Sequence, residues 1–131
     1  MTVAGQELEL PDGRVLGFDE YGARDGTPLF YFHGTPGARL EWHLFGGENA
    51  AQRLGLRIIA VDRPGMGLST FQPGRRITDW PADVRAVADA LQLGTFAVLG
   101  CSGDGARLAC FPRAAAAAWS AADSSCGAWR C

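Results

Sequence analysis

A serine between glycines stands where a predicted strand ends. Gly100, Cys101, Ser102 and Gly103 directly follow the apolar run at residues 95–99. A sharp strand-to-helix turn at this point would lift the Ser102 hydroxyl above the sheet edge, and it needs small residues two positions to either side. Gly100 meets that requirement, whereas Asp104 does not. The pattern makes Ser102 a candidate nucleophile, and an ordinary turn serine is the alternative interpretation.

Two further glycine-rich segments also follow apolar runs. The segment His-Gly-Thr-Pro-Gly at 33–37 comes after the run 28–32, and Asp-Arg-Pro-Gly-Met-Gly-Leu-Ser at 62–69 comes after the run 56–61. Short continuous apolar runs are typical of strands buried on both faces. Because ligands bind beyond the carboxyl ends of parallel strands, we expect the three segments to meet at one edge of a sheet.

The rest of the sequence predicts the strands and helices that position these segments. Residues 6–10 and 14–21 are predicted to form a hairpin around the turn at 11–13, and a short helix is predicted over 48–54, with a start nearer Leu40 as the alternative. A clearer helix begins at Thr78 or Asp79 and ends at Gly94, with an apolar stripe and with Asp83, Arg85 and Asp89 on its solvent side. Strands alternating with amphipathic helices predict an α/β fold, a mostly parallel sheet with helices on both faces.

In this order and spacing the three segments resemble the N-terminal half of the α/β-hydrolase family, in its esterase, peptidase and epoxide-hydrolase-like branch. The resemblance covers roughly residues 8–110 and implies an incomplete α/β-hydrolase fold of about five strands, with residues 1–110 as the N-terminal part of the domain. It implies that Ser102 is the nucleophile and that the backbone amides of Thr35 and Gly103 form the oxyanion hole. It also implies that His33, with Gly34, orients the oxyanion loop instead of acting as the base.

The sequence departs from the family beyond Ser102. The family places its acid and its histidine after the nucleophile, but here the only later carboxylates are Asp104 and Asp123 and there is no later histidine. A serine without a base is a poor nucleophile. We therefore expect ancestral hydrolysis of an ester, amide or related bond, impaired or absent in this chain. The alternatives are a non-catalytic remnant or interaction module with an open sheet edge, or a separate chain that supplies the acid and the histidine.

The composition changes at about Cys110. Residues 111–131 contain five consecutive alanines, with cysteine and tryptophan near the end, and show neither strand alternation nor an amphipathic period. A helix over 113–122 is plausible because alanine favours helix, and the change suggests a frameshifted or truncated gene. The strand before Ser102 is then expected to be an open apolar edge, through which copies of the chain could associate.

Composition excludes several other classes of function. The 131 residues carry a net charge of −2, with twelve basic residues that are all Arg, so no nucleic-acid partner is expected. No secretion signal or apolar membrane segment is recognisable, which predicts a soluble cytoplasmic chain with reduced thiols and no membrane partner. The four cysteines match no common metal spacing, so we expect no metal and no cofactor, and a small-molecule substrate if the chain is active.

Four other side chains have a structural interpretation. Asp62 is better interpreted as a brace for its loop than as a triad acid. Trp42 and Met66 could line a pocket, but core or cap contacts are favoured for both. His43 stands in no motif and is expected at or near the surface.

Overall fold

A computed structural model describes residues 5–101 and the backbone of residues 126–130. The strands are β1 (Gln6–Glu9), β2 (Val15–Gly22), β3 (Thr27–Phe32), β4 (Leu56–Val61), β5 (Ala97–Cys101) and β6 (Cys126–Arg130). The helices are α1 (Glu41–Leu44), α2 (Gly47–Arg53) and α3 (Trp80–Ala90), and a 3-10 turn at Ile77–Asp79 leads into α3. None of the helices in this part of the chain is long and apolar enough to cross a membrane.

One sheet holds all six strands in the order β1-β2-β4-β3-β5-β6. The central strand β3 pairs in parallel with β4 and with β5, and the remaining pairs are antiparallel. Parallel pairing of β3 with β4 requires a crossover, which α1 and α2 provide. The predicted α/β class and the partial α/β-hydrolase sheet are confirmed, with the parallel pairing concentrated at the centre.

The two faces of the sheet bury alternate side chains of β4. Ile59 and Val61 face the larger apolar cluster, which includes Val84 and Val87 of α3, while Ile58 and Ala60 face a smaller cluster with Ala51 of α2. Alternation places neighbouring residues of a strand on opposite faces, so a strand covered on both sides reads as one apolar run. The prediction of helices on both faces is therefore confirmed.

The helix α3 differs from its prediction in three details. It ends at Ala90, before the predicted stop at Gly94. Asp79 stands at the N-cap position, but its carboxylate accepts a hydrogen bond from the Arg76 amide (2.8 Å) and does not cap α3. Asp83, predicted on the solvent side, is buried and forms ion pairs with Arg14 (2.8 Å) and Arg75 (3.3 Å). Arg14, which is 69 residues away in the sequence, and Arg75, in the segment before α3, make Asp83 an interior position. Arg85 and Asp89 are exposed, as predicted.

The strand β6 corrects the prediction that β5 is an open edge. It pairs antiparallel with β5, so β5 has a partner strand on each side. The sequence Cys-Gly-Ala-Trp-Arg lacks apolar alternation, and backbone pairing with β5 is what makes it a strand. Self-association through an exposed edge stays a prediction, with β6 as the edge at this end of the sheet. The predicted helix at 113–122 lies outside the described residues.

Candidate active site

The carboxyl ends of three strands meet at one edge of the sheet. Phe32 of β3 is in register with Val61 of β4 and with Gly100 of β5, and all three strands run in the same direction. His33 and Asp62 therefore start neighbouring loops. Ser102 and Gly103 lie outside the described residues, but Ser102 is bonded to Cys101, the last residue of β5. The edge predicted for the site is thus the edge at which the three motifs begin.

The buried imidazole of His33 joins two of these loops. Its Nε2 accepts a hydrogen bond from the Arg63 amide (3.2 Å), and its Nδ1 lies 2.9 Å from the carbonyl oxygen of Gly34. A ring that accepts at Nε2 and donates at Nδ1 is neutral. Both ring nitrogens are held by backbone groups, which argues against a role for His33 as base and supports the orienting role that the sequence predicts.

Arg63 adds a second connection between the same loops, and no motif in the sequence had singled it out. Its guanidinium donates to the carbonyl oxygen of Gly34 (2.9 Å) and to the hydroxyl of Thr35. Arg63 is only 6% exposed, so these bonds form in a region that water screens weakly. The carbonyl of Gly34 is consequently fixed on the interior side of the loop.

Glu41 of α1 holds the other side of the Gly34 residue. Its two carboxylate oxygens each lie 3.2 Å from the Gly34 amide nitrogen, and one of them accepts a hydrogen bond from the Tyr31 hydroxyl (2.6 Å). Burial raises the pKa of Tyr31 above its usual range, and the bond to Glu41 adds to the effect. Glu41 was not among the predicted site residues. The tyrosine inside the apolar run 28–32 could have indicated a polar partner, because a buried tyrosine hydroxyl needs one.

The amides of Gly34 and Thr35 differ in what they contact. Glu41 accepts from the Gly34 amide, whereas no residue in the described part of the chain accepts a hydrogen bond from the Thr35 amide. Thr35 is also exposed, while Gly34 is buried. Of these two amides, that of Thr35 is the one without an acceptor among the described residues, and Thr35 is the residue predicted to supply an oxyanion donor.

The loop after β4 is organised around the fully buried carboxylate of Asp62. This group accepts hydrogen bonds from the Arg39 amide (2.6 Å), the Arg39 guanidinium (3.0 Å) and the Leu68 amide (2.9 Å). Gly67, at φ +52°, passes so close that an added Cβ would lie 2.1 Å from the Asp62 carboxylate. These contacts match the interpretation of Asp62 as a brace for its loop.

Arg39 links Asp62 to the sheet. Its guanidinium also lies 2.8 Å from the carboxylate of Asp19 in β2, and all three side chains are buried. Burial raises the pKa of Asp19 above its ordinary value, and the nearby Arg39 charge opposes that shift. The loops after β3 and β4 are therefore fastened to β2 through one buried cation between two carboxylates.

Other candidates from the sequence have structural surroundings. The Trp42 ring packs edge-on against Tyr31 at a centroid distance of 5.0 Å, as the favoured core interpretation predicts. His43 is partly exposed, with its Nδ1 2.8 Å from a carboxylate oxygen of Glu48. Within the described residues no three His, Cys, Asp or Glu side chains are grouped as metal ligands would be.

Comparison with known proteins identifies the fold. The family model of the alpha/beta hydrolase fold matches residues 27–107. The chain belongs to the α/β-hydrolase family. A non-heme chloroperoxidase from Streptomyces lividans is 35% identical over 103 residues, which cover 75% of this chain and 35% of the relative. The chain thus spans about a third of the length of the curated relatives it matches.

Solved structures agree with this assignment. A hydrolase from Pseudomonas aeruginosa superposes with a TM-score of 0.69 over 78% of this chain and 38% of its own, at 24% identity. An esterase from Exiguobacterium antarcticum is 27% identical, with a TM-score of 0.63 over 75% of this chain and 35% of its own. The described sheet therefore corresponds to part of a complete α/β-hydrolase domain.

Proposed function

We propose that this chain carries the nucleophile and the oxyanion hole of a serine hydrolase that acts on an ester, amide or related bond of a small molecule. Ser102 attacks the carbonyl carbon, and the amides of Thr35 and Gly103 stabilise the oxyanion that forms. The main support is the parallel register of Phe32 with Gly100. Because of this register, the Thr35 loop and the Ser102 segment begin side by side.

The geometry of the Thr35 loop supports this assignment. An oxyanion donor must be held in place before the reaction, so that no reorganisation is needed when the charge develops. Arg63 and Glu41 fix the carbonyl and the amide of the preceding residue, Gly34. Thr35 is an exposed residue whose amide has no acceptor among the described residues. An ester substrate is favoured because the Exiguobacterium antarcticum relative is an esterase.

The missing base limits what these 131 residues can do alone. His33 is held by backbone groups, His43 contacts Glu48, and the sequence has no histidine after Ser102. Asp62 accepts two hydrogen bonds from Arg39 and one from the Leu68 amide, so its carboxylate is occupied in bracing the loops. Both histidines of the sequence thus have other contacts, so we propose that hydrolysis by this polypeptide is impaired or absent in the cytoplasm, its predicted location.

A non-catalytic interaction module is the second candidate, and the same absence of a base favours it. The two proposals can be distinguished by an esterase assay. The release of p-nitrophenol from p-nitrophenyl acetate is measured for the wild-type chain and for Ser102→Ala, with and without added imidazole. Imidazole can replace the missing base, so the first proposal predicts a faster imidazole-dependent rate for the wild type than for Ser102→Ala. Equal rates for the two proteins at every imidazole concentration would support the non-catalytic module.

A further inference from the structure

The pairing of β5 with β6 places two cysteines opposite each other. Cys101 is in register with Cys126, and the neighbouring pair is Gly100 with Gly127. Residues directly opposite in an antiparallel ladder are on the same face of the sheet, with Cα atoms about 4.5 Å or about 5.5 Å apart. Disulfides join residues whose Cα atoms are about 4.4 to 6.8 Å apart. Either ladder spacing satisfies this requirement.

We propose that Cys101 and Cys126 form a cross-strand disulfide when the chain encounters a small-molecule disulfide such as oxidised glutathione. One cysteine thiolate attacks a glutathione sulfur, which forms a mixed disulfide and releases one glutathione thiolate. The second cysteine thiolate then attacks the protein sulfur of that mixed disulfide and releases the second glutathione. The two protein thiols lose two protons and two electrons, and the glutathione disulfide is reduced to two thiols.

This site lies directly beside the proposed nucleophile. Cys101 is half-buried, and it immediately precedes Ser102. The disulfide would fasten β6 to the last residue of β5 and close residues 102–125 into a loop. In a reducing compartment the pair stays as two thiols, so the bond is a reversible modification of the edge that carries the Ser102 segment.

The proposed pair is not the one that sequence separation favours. Cys110 is closer in sequence to Cys101, and Cys131 is closer to Cys126. In an unfolded chain the shorter loops close at a smaller entropic cost. Preferential linkage of Cys101 to Cys126 would therefore report the folded register of β5 and β6.

Peptide mapping of the full chain tests the proposal. The chain contains no Lys, and trypsin cleavage after Arg85, Arg107, Arg113 and Arg130 separates all four cysteines. After incubation with oxidised glutathione and alkylation of residual thiols, the expected product is peptide 86–107 joined to peptide 114–130, with the loss of two hydrogens. Reduction should remove it, and the same oxidation in guanidinium chloride should shift the linkages towards pairs that contain Cys110 or Cys131.

Single variants sharpen the result. Cys110→Ala and Cys131→Ala should retain the linked peptide, whereas Cys126→Ala should lose it. The proposal is overturned if the main native linkage contains Cys110 or Cys131, if the native and denatured chains give the same distribution, or if no intramolecular disulfide forms. The peptide map of the wild-type chain alone decides between these outcomes, even if the Cys126→Ala chain fails to fold.

Discussion

The loops after β3 and β4 are neighbours with opposite construction. The loop after β4 wraps a fully buried carboxylate, Asp62, which accepts from backbone and guanidinium donors. The loop after β3 has its fixed groups on the interior side, at Gly34, and presents the exposed Thr35 to the edge. The difference fits our proposal, in which the loop after β4 is the support and the loop after β3 is the surface that meets a ligand.

Removing the centre of the supporting loop should have the largest effect. Asp62→Ala would leave the buried Arg39 charge with Asp19 as its remaining carboxylate and the Leu68 amide without its acceptor. Breaking a buried pair on one side costs about 3 kcal/mol or more, so we expect a loss of that size in the free energy of unfolding, measured in urea. Asp62→Asn keeps one acceptor oxygen and should lose less. A loss below about 1 kcal/mol for Asp62→Ala would remove the distinction between the two loops.

Crowding the same loop should have the next largest effect. Gly67→Ala adds a Cβ close to the Asp62 carboxylate at a positive φ, while Gly13→Ala adds one at φ +84° with nothing within 4 Å. A non-glycine residue in the left-handed region costs about 1 kcal/mol, and overpacking adds about 2 kcal/mol more. Thermal or urea unfolding should therefore show that Gly67→Ala is much less stable than Gly13→Ala. Equal losses would show that the loop can move away from Asp62.

A smaller loss in the free energy of unfolding is expected from Tyr31→Phe in β3, which weakens the support of the following loop. The substitution removes the hydroxyl that donates to Glu41 at 2.6 Å and keeps the ring that packs on Trp42. A hydrogen bond to a charged group contributes about 1.5 kcal/mol. Tyr21→Phe is the matched control because the Tyr21 hydroxyl lies 3.4 Å from its carboxylate partner. If both variants unfold at the same urea concentration, the hydrogen bond from Tyr31 to Glu41 does not stabilise the fold.

The smallest expected effect is a pH dependence that comes from Asp19. Because its pKa is raised in the folded chain, the native state holds this proton more tightly than the unfolded state does. Stability from this group is therefore fully present below the ordinary value of 3.8 and is lost as the pH rises through the raised folded pKa. Relative to Asp19→Asn, the wild type should lose stability as the pH rises through that window, measured by urea unfolding at each pH. A relative gain would mean that Arg39 outweighs burial.

Local patterns predicted most elements of the fold. The continuous apolar run 56–61 predicted β4 with its observed bounds, and the buried stripe of α3 followed from its helical spacing. The loops could be placed at one edge because parallel strands share the direction of their carboxyl ends. The burial of Asp83 could not be predicted, since its partner Arg14 lies far away in the sequence.

The site was only partly predictable for the same reason. The motif at 33–37 indicated His33, Gly34 and Thr35, but the groups that fix this loop are Glu41 and Arg63, on a separate helix and a separate loop. No periodic pattern within one helix or strand relates either residue to this motif. The strand β6 was missed because it is defined by pairing with β5 and not by its own apolar pattern.

The central claim is that the Thr35 amide and Ser102 form one site, and a transition-state mimic tests it directly. A boronic acid that adds to the Ser102 hydroxyl forms a tetrahedral anion, and its oxygen should accept a hydrogen bond from the Thr35 amide. In ¹⁵N-labelled chain titrated with phenylboronic acid, we predict a shift of the Thr35 amide resonance that is absent in Ser102→Ala, with little change at Gly34. A shift that persists in Ser102→Ala, or no shift at Thr35, would contradict the account.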